Sequence, residues 1–292
     1  MIYDSIVIGT GLFGSLITRG LRDLGRNVLL LGNKHAEAGS PPAACLMKPE
    51  WFSKFGKEVH QPALDWLYQR FIVHNLPFAE CTRSGGIKAS KAFFIEPKDM
   101  LLEPDLEMSA DSIQHDATDR CWYVQGGLPN GHATGCWARQ VVVAAGVWSQ
   151  QLIPWFDMGI VGRAGSAYLF PEWVGPGYNF MTEWAPYKQI VGFQRGDGFW
   201  INDGSAIMTK NWDDGFMARS WLRCREELAK HRGKDAVMVD PQVLQGIRPY
   251  TPRHKPCLLQ QVQPGLWVAV GAAKNGTLLG GYCARIIQEQ SK

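Results

Sequence analysis

Ile6-Val7-Ile8-Gly9-Thr10-Gly11-Leu12-Phe13-Gly14 runs from an apolar stretch through a GxGxxG turn into a helical pattern. The three apolar residues read as a buried strand, and Leu12 to Leu24 reads as a helix stopped at Gly25. Strand, glycine turn and helix in that order open a dinucleotide-binding unit. Gly9 permits the tight turn. Gly11 lets backbone N–H groups, those of Leu12 and Phe13 included, approach a pyrophosphate, and Gly14 lets the helix pack on the strand with its positive end toward the phosphates. Asn27-Val28-Leu29-Leu30-Leu31 supplies a second parallel strand. Such a strand usually ends in an acid that accepts hydrogen bonds from a ribose hydroxyl. Here the chain reads Gly32-Asn33-Lys34. Asn33 can bond ribose through its amide, while Lys34 either meets a phosphate or is a solvated loop charge, so this position leaves the nucleotide open.

A second glycine signature, Gly271-Ala272-Ala273-Lys274-Asn275-Gly276, precedes a last helix that starts near Asn275 or Gly276. A fold whose two ends meet one ligand accounts for both signatures. Between them, Gly39 to Pro49 is a loop of small residues and prolines, which suits close backbone approach. Leu64, Leu67, Tyr68 and Phe71 recur at helical spacing, predicting an amphipathic helix over about Pro62 to Asn75. Val141-Val142-Val143 runs into Ala144-Ala145-Gly146, the pattern of a central parallel strand with a ligand at its C-terminal edge. Residues 160–245 alternate short strand-like runs with Gly and Pro, then form a helix near Asp213 to His231. Seven of the twelve Trp lie between Trp148 and Trp221, where they either pack a core, line a cavity or stack on bases.

The expected fold is α/β: a Rossmann-like nucleotide-binding domain over 1–80, 93–160 and 246–292, interleaved with a β-rich (α+β) substrate domain over 81–92 and 161–245. At 292 residues and 46% apolar content the chain builds a large core, and its net charge of +3 neither demands nor excludes a polyanionic partner. The seven cysteines form no CxxC pair, and no charged leader precedes the first strand, which predicts a reducing cytoplasm. No apolar run is long enough to span a membrane, so no membrane partner is expected. The histidines show no metal-ligand spacing, and His132 with Cys136 reads as two incidental loop residues, so no metal is expected.

GxGxxG, the small-residue loop, VVVAAGVW, GIRPYTP, GAAKNG and a terminal helix occur here in the order of the FAD-dependent amine oxidases of the D-amino-acid oxidase and glycine oxidase family, which the chain resembles over almost its whole length. The resemblance implies FAD rather than NAD. It implies that the loop containing Ala43, Ala44 and Leu46 follows the ribityl chain, and that Ala145, Gly146 and Trp148 lie beside the dinucleotide. It also implies that Gly271, Lys274, Asn275, Gly276 and Thr277 face the pyrimidine edge of the flavin, and that Arg248 anchors a substrate carboxylate. Tyr168, Tyr250 and Lys274 are second-rank pocket candidates. The chain departs from the family at Cys45, where Gly is usual, at Pro41-Pro42, and at Arg253, where Asp is common. Its shorter length suggests a trimmed substrate domain.

On this reading the chain oxidises a small amine or amino acid next to its carboxylate, of the glycine or N-substituted glycine type. Hydride passes to flavin, the imine hydrolyses, and oxygen is the final acceptor. Related chemistry on a glycine-type adduct of a nucleobase, as in the oxidase domain of the tRNA wobble-uridine modification enzyme, is a variant with a nucleic-acid partner. An NAD(P)-dependent dehydrogenase and a catalytically silent flavin-binding module are the rivals from other classes. The sequence leaves the oligomeric state open.

Overall fold

Ile6, Val7 and Ile8 are at most 4% exposed, and Leu30, Leu31 and Val141 to Val143 are fully buried. Strands covered on both faces carry no polar alternation, so these runs are continuous and apolar. The computed structural model describes the chain except residues 34–37, 39, 41–42, 53–54, 172, 174, 187, 209–213, 233–239 and 252–256. In it, β1 (Ile2–Ile8) lies between β2 (Val28–Gly32) and β9 (Ala133–Val143), parallel to both, with Val7 opposite Leu30 and Val142. β6 (Leu106–Glu107) adds in parallel beyond β2, and β16 (Leu266–Val270) in parallel beyond β9. β15 (Leu258–Gln263) closes that edge antiparallel to β16. The hairpin of β7 (Ser109–Asp116) and β8 (Cys121–Gly127) attaches to the first part of β9.

Helices α1 (Leu12–Arg22) and α7 (Gly276–Gln290) pack together, with Leu16, Ile17, Leu21, Leu279 and Ile287 fully buried. A Cβ on Gly280 would come within 2.8 Å of the Leu16 side chain, so a glycine there sets the close approach of the pair. Helix α3 (Lys57–Tyr68) covers α7 and buries Ala63, Trp66 and Leu67. This differs from the helix predicted over Pro62 to Asn75. The chain leaves the helix after Tyr68, which is 45% exposed, and Asn75 lies in a strand, because pairing with the following hairpin arm outweighs a helical spacing that Phe71 continued by coincidence. Pro62 sits inside the helix rather than at its start.

A second sheet has the order β14-β10-β13-β12-β11-β4-β5-β3. Its strands are β3 (Leu46–Met47), β4 (His74–Cys81), β5 (Ile87–Phe94), β10 (Val161–Phe170), β11 (Asn179–Ala185), β12 (Lys188–Arg195), β13 (Gly198–Asn202) and β14 (Gln242–Tyr250). Alternate residues of β10 face opposite ways. Ala167 and Leu169 join Phe78, Phe94, Met181 and Phe193 in the core shared with α1 and α7. Tyr168 and Phe170 face the other way, into a cluster with Phe180, Phe199 and Ile201 under α6 (Asp214–Arg232). The expected helix start at Asp213 lies outside the described residues.

The two sheets divide the chain differently from the expected segments. β4, placed within 1–80, pairs with β5 from His74–Phe94 to Cys81–Ile87. β14 runs past residue 246 and pairs with β10 as far as Tyr250. Both therefore belong to the second sheet, since backbone ladders rather than apolar pattern decide membership.

Glu227, buried on α6, accepts hydrogen bonds from the Thr182 hydroxyl at 2.5 Å and Lys230 Nζ at 2.8 Å, and lies 3.1 Å from His231 Nε2. Burial opposes its ionisation, but bonds to His231, Lys230 and Thr182 outweigh that effect and lower its pKa from 4.5 to about 2. A carboxylate depressed in the folded state contributes stability above its unfolded pKa and loses it as pH falls through the folded value. We expect Glu227→Gln to be less stable than the parent at pH 7 by on the order of 3 kcal/mol. The gap should narrow as pH falls from 4.5 toward 2; urea midpoints across this range check it.

Candidate active site

At the β1–α1 junction Gly9 has φ +113°, and a Cβ there would stand 2.5 Å from the Ala144 carbonyl oxygen at the end of β9. One on Gly14 would lie 1.6 Å from the Gly9 carbonyl oxygen. Backbone thus meets backbone, leaving the floor of the turn bare. Gly11, the N-cap of α1, has no side chain with which to cap the helix, and the first turn carries no acid. The Ser40 hydroxyl accepts from the Leu12 N–H at 3.0 Å. Asn275, the N-cap of α7, likewise makes no side-chain cap bond, and the first turn of α7 carries no acid. Both helices therefore present positive ends with no acid of their own in the first turn.

Both ends open into one cavity of about 1020 Å³. Small-ligand pockets span roughly 300–1,000 Å³, so this one has room for a dinucleotide and a small substrate together. One end is walled by Gly32, Asn33 and Met108 to Asp111, the middle by Ala43 to Met47, and the far side by the face of the second sheet that carries Glu183, Gln189, Val191, Trp200 and Asn202.

Gly9, Gly11, Leu12, Phe13, Asn33, Ala43, Ala44, Leu46, Ala145, Gly146, Trp148, Arg248, Gly271, Lys274, Asn275, Gly276 and Thr277 all line this cavity. Gly14 lies beneath the turn and is not in the lining. Lys34 is outside the described residues. Arg248, half-buried on β14, lies over β10: its Nη2 is 3.6 Å from where a Gly165 Cβ would stand. No described residue offers Arg248 a hydrogen bond or a counter-charge. Lys274 is exposed and donates to the Gly204 carbonyl at 3.1 Å, tying the α7 entry loop to the end of β13.

Two pocket candidates are corrected. Tyr168 is 2% exposed and points away from the cavity, its hydroxyl donating to the Met217 carbonyl at 3.1 Å and its ring 4.9 Å from Trp221. Strand alternation sends it to the α6 side. Tyr250 is not in the cavity lining; the Arg163 guanidinium lies 4.4 Å from its ring centroid. Three of the seven clustered Trp serve packing, Trp173, Trp184 and Trp221 lying against the α6-side core, while Trp148 and Trp200 reach the cavity and Trp155 is exposed.

Glu183, Gln189 and Asn202 were not legible in the sequence, because which face of a strand looks into the cavity follows from sheet register. Cys45, the departure from Gly, has φ +51°, a left-handed conformation that Gly adopts without cost. Burial raises its thiol pKa to about 11, against a smaller opposite effect of the Thr277 hydrogen bond, so at neutral pH it lines the cavity as an uncharged group.

The glycine contacts separate two effects. Gly14→Ala forces backbone apart and should cost more than about 2 kcal/mol of stability together with nucleotide binding. A Cβ on Gly11 meets only the movable Ser40 hydroxyl, at 2.8 Å. Gly11→Ala should therefore keep the melting temperature of the cofactor-free protein while losing nucleotide binding; melting curves of the cofactor-free parent and variants, and the cofactor content of each as purified, check both.

Comparison with known proteins agrees with this geometry. A sequence search among curated proteins gives no significant match. Among solved structures, the chain is similar to iminodiacetate oxidase from Chelativorans sp. BNC1, with a TM-score of 0.71 at 13% identity, covering 97% of this chain and 94% of that one. It is similar to glycine oxidase from Geobacillus kaustophilus, with a TM-score of 0.67 at 16% identity over 99% and 95% of the two chains. For L-proline dehydrogenase from P. horikoshii the TM-score is 0.68 at 11% identity, over 99% and 92%. These likenesses show a shared fold. The family model described as DAO, FAD dependent oxidoreductase, matches residues 107–290, well over half of the sequence, and so this chain belongs to the DAO family of FAD-dependent oxidoreductases.

Proposed function

We propose that the protein oxidises an amine next to a carboxylate, of the glycine or N-substituted glycine type, to an imine that water then hydrolyses, with dioxygen as final electron acceptor. The observation that carries this reading is Arg248: a half-buried guanidinium facing the cavity with no counter-charge among the described residues. A buried cation is kept only where a partner supplies the opposite charge. A carboxylate supplies it bidentately, and the planar fork fixes the orientation of the carbon it carries.

The residues present fit FAD. Gly9, Gly11, Leu12 and Phe13 would hold its pyrophosphate at the α1 N-terminus, Asn33 its ribose, Ala43 to Leu46 its ribityl chain, and Gly271 with Asn275 to Thr277 its ring. When bound, FAD supplies the two-electron acceptor that no side chain provides. The chain itself orients and desolvates. Arg248 fixes the carboxylate. The uncapped N–H groups of α7 favour negative charge at their end of the cavity. Val191, Trp200 and Ile247 exclude water from the facing wall.

The names of the structural relatives support a small amine-bearing acid as substrate. Adding glycine, sarcosine, iminodiacetate and glycine-modified nucleosides anaerobically to the yellow protein should bleach the flavin band with at least one of them. Arg248→Lys should keep the band and lose about 10²–10³-fold in kcat/KM, mostly through weaker binding. Bound flavin that no member of the panel bleaches would overturn the reading in favour of a silent binding module.

A further inference from the structure

The cavity carries a second unpartnered charge, far from the first. Glu183 lines it, is half-buried, and among the described residues has neither a hydrogen-bond nor an ion-pair partner. Directly opposite on β12 is Gln189, also in the lining. Gln189 donates its amide N–H to Glu80 Oε1 at 3.3 Å. Glu80 is ionised and itself held by Lys48 Nζ at 2.8 Å, so it accepts hydrogen bonds and fixes which way the Gln189 amide turns. The Gln189 oxygen is thereby left as an acceptor beside the Glu183 carboxylate. The register shift between Glu183 and Ala185 marks a bulge at this point; Trp184 packs on the α6 side while Glu183 faces the cavity. The result is a wall patch that joins the Glu183 carboxylate and the Gln189 oxygen, bordered by Lys274, whose Nζ donates to the Gly204 carbonyl.

Arg248 stands on β14, an edge strand of this sheet, whereas β11 lies inside it. From β14 to β11 the order passes through β10, β13 and β12. Four strand spacings make about 19 Å between the two backbones. Both side chains line the cavity, but a glycine unit spans no more than about 3.6 Å and cannot touch both.

Resting on the carboxylate-anchor reading of Arg248, we propose that Glu183 determines specificity, and that the preferred substrate is a glycine-type amine whose nitrogen substituent ends in a cationic group, an ammonium or guanidinium. Arg248 takes the carboxylate, and Glu183 with the Gln189 oxygen takes the distal cation. The oxidised carbon lies near the Arg248 end, so Glu183 makes no contact with the reacting atoms and acts through binding alone.

The test uses ligands that are not oxidisable beside the carboxylate: (5-aminopentyl)oxyacetate and the uncharged isostere hexyloxyacetate. Each is titrated into the flavin-loaded protein, with Kd read from the shift of the flavin absorption band. The parent should bind the ammonium-tailed acid roughly ten- to a hundredfold more tightly. Glu183→Gln should abolish this preference while binding hexyloxyacetate as before, and Glu183→Lys should favour an acid with a carboxylate-ended tail. Flavin content of each variant reports folding. Equal binding of both ligands by parent and Glu183→Gln overturns the proposal while leaving the anchor reading standing, provided Arg248→Lys weakens both. Failure of both ligands to bind overturns the anchor reading and this proposal with it.

Discussion

Backbone contact at the β1–α1 turn is the constraint on which the rest depends. Because Gly9 and Gly14 carry no side chain, the first helix starts against the ends of β1 and β9 rather than a residue's width away. Its N-terminus then opens onto the strand ends where the sheet leaves a crevice. Helix α7 is drawn to the same place by packing on α1 through Leu16 and Gly280. Two positive helix ends in one cavity are electrostatically costly unless an anion joins them. A dinucleotide cofactor satisfies both, which links the first and last segments of the chain through one ligand.

The second sheet completes the cavity. One face contributes apolar residues to the core shared with α1 and α7; the other is sealed by α6 through Tyr168, Phe180, Cys224 and Leu228. Where the inner face turns from core to cavity it presents charged and amide groups: Arg248 near one edge, Glu183 and Gln189 toward the other. Half-buried charges without internal partners are unfavourable for the free protein. Their retention is understandable where a ligand supplies the missing charges. Lys274, joined to the Gly204 carbonyl, ties the entry loop of α7 to the end of β13.

The same logic separates groups that hold the fold from groups that do chemistry. Glu227 and Glu80 are buried carboxylates, yet each is surrounded by donors and stays ionised as part of the frame. Cys45 is buried without a compensating positive charge strong enough to ionise it, and remains a neutral thiol in a backbone conformation suited to glycine.

How much was legible in the sequence follows from the range of the interactions involved. The strand–turn–helix unit, the parallel core strands and the cavity floor depend on local sterics and on near-neighbour apolar runs, so the glycine turn at Gly9 to Gly14, the strand into Gly146 and the start of the last helix after Gly271 could be read directly. The family follows from the order of these segments. Only tertiary structure decided what non-local pairing controls. The ladders of β4 with β5 and of β10 with β14 moved segments between sheets, and strand alternation turned Tyr168 toward α6. Stacking on Arg163 engaged Tyr250. Glu183 and Gln189 were brought to one wall by a register that no local pattern encodes, because a side chain on a strand points to either face with equal ease until its neighbours are in place.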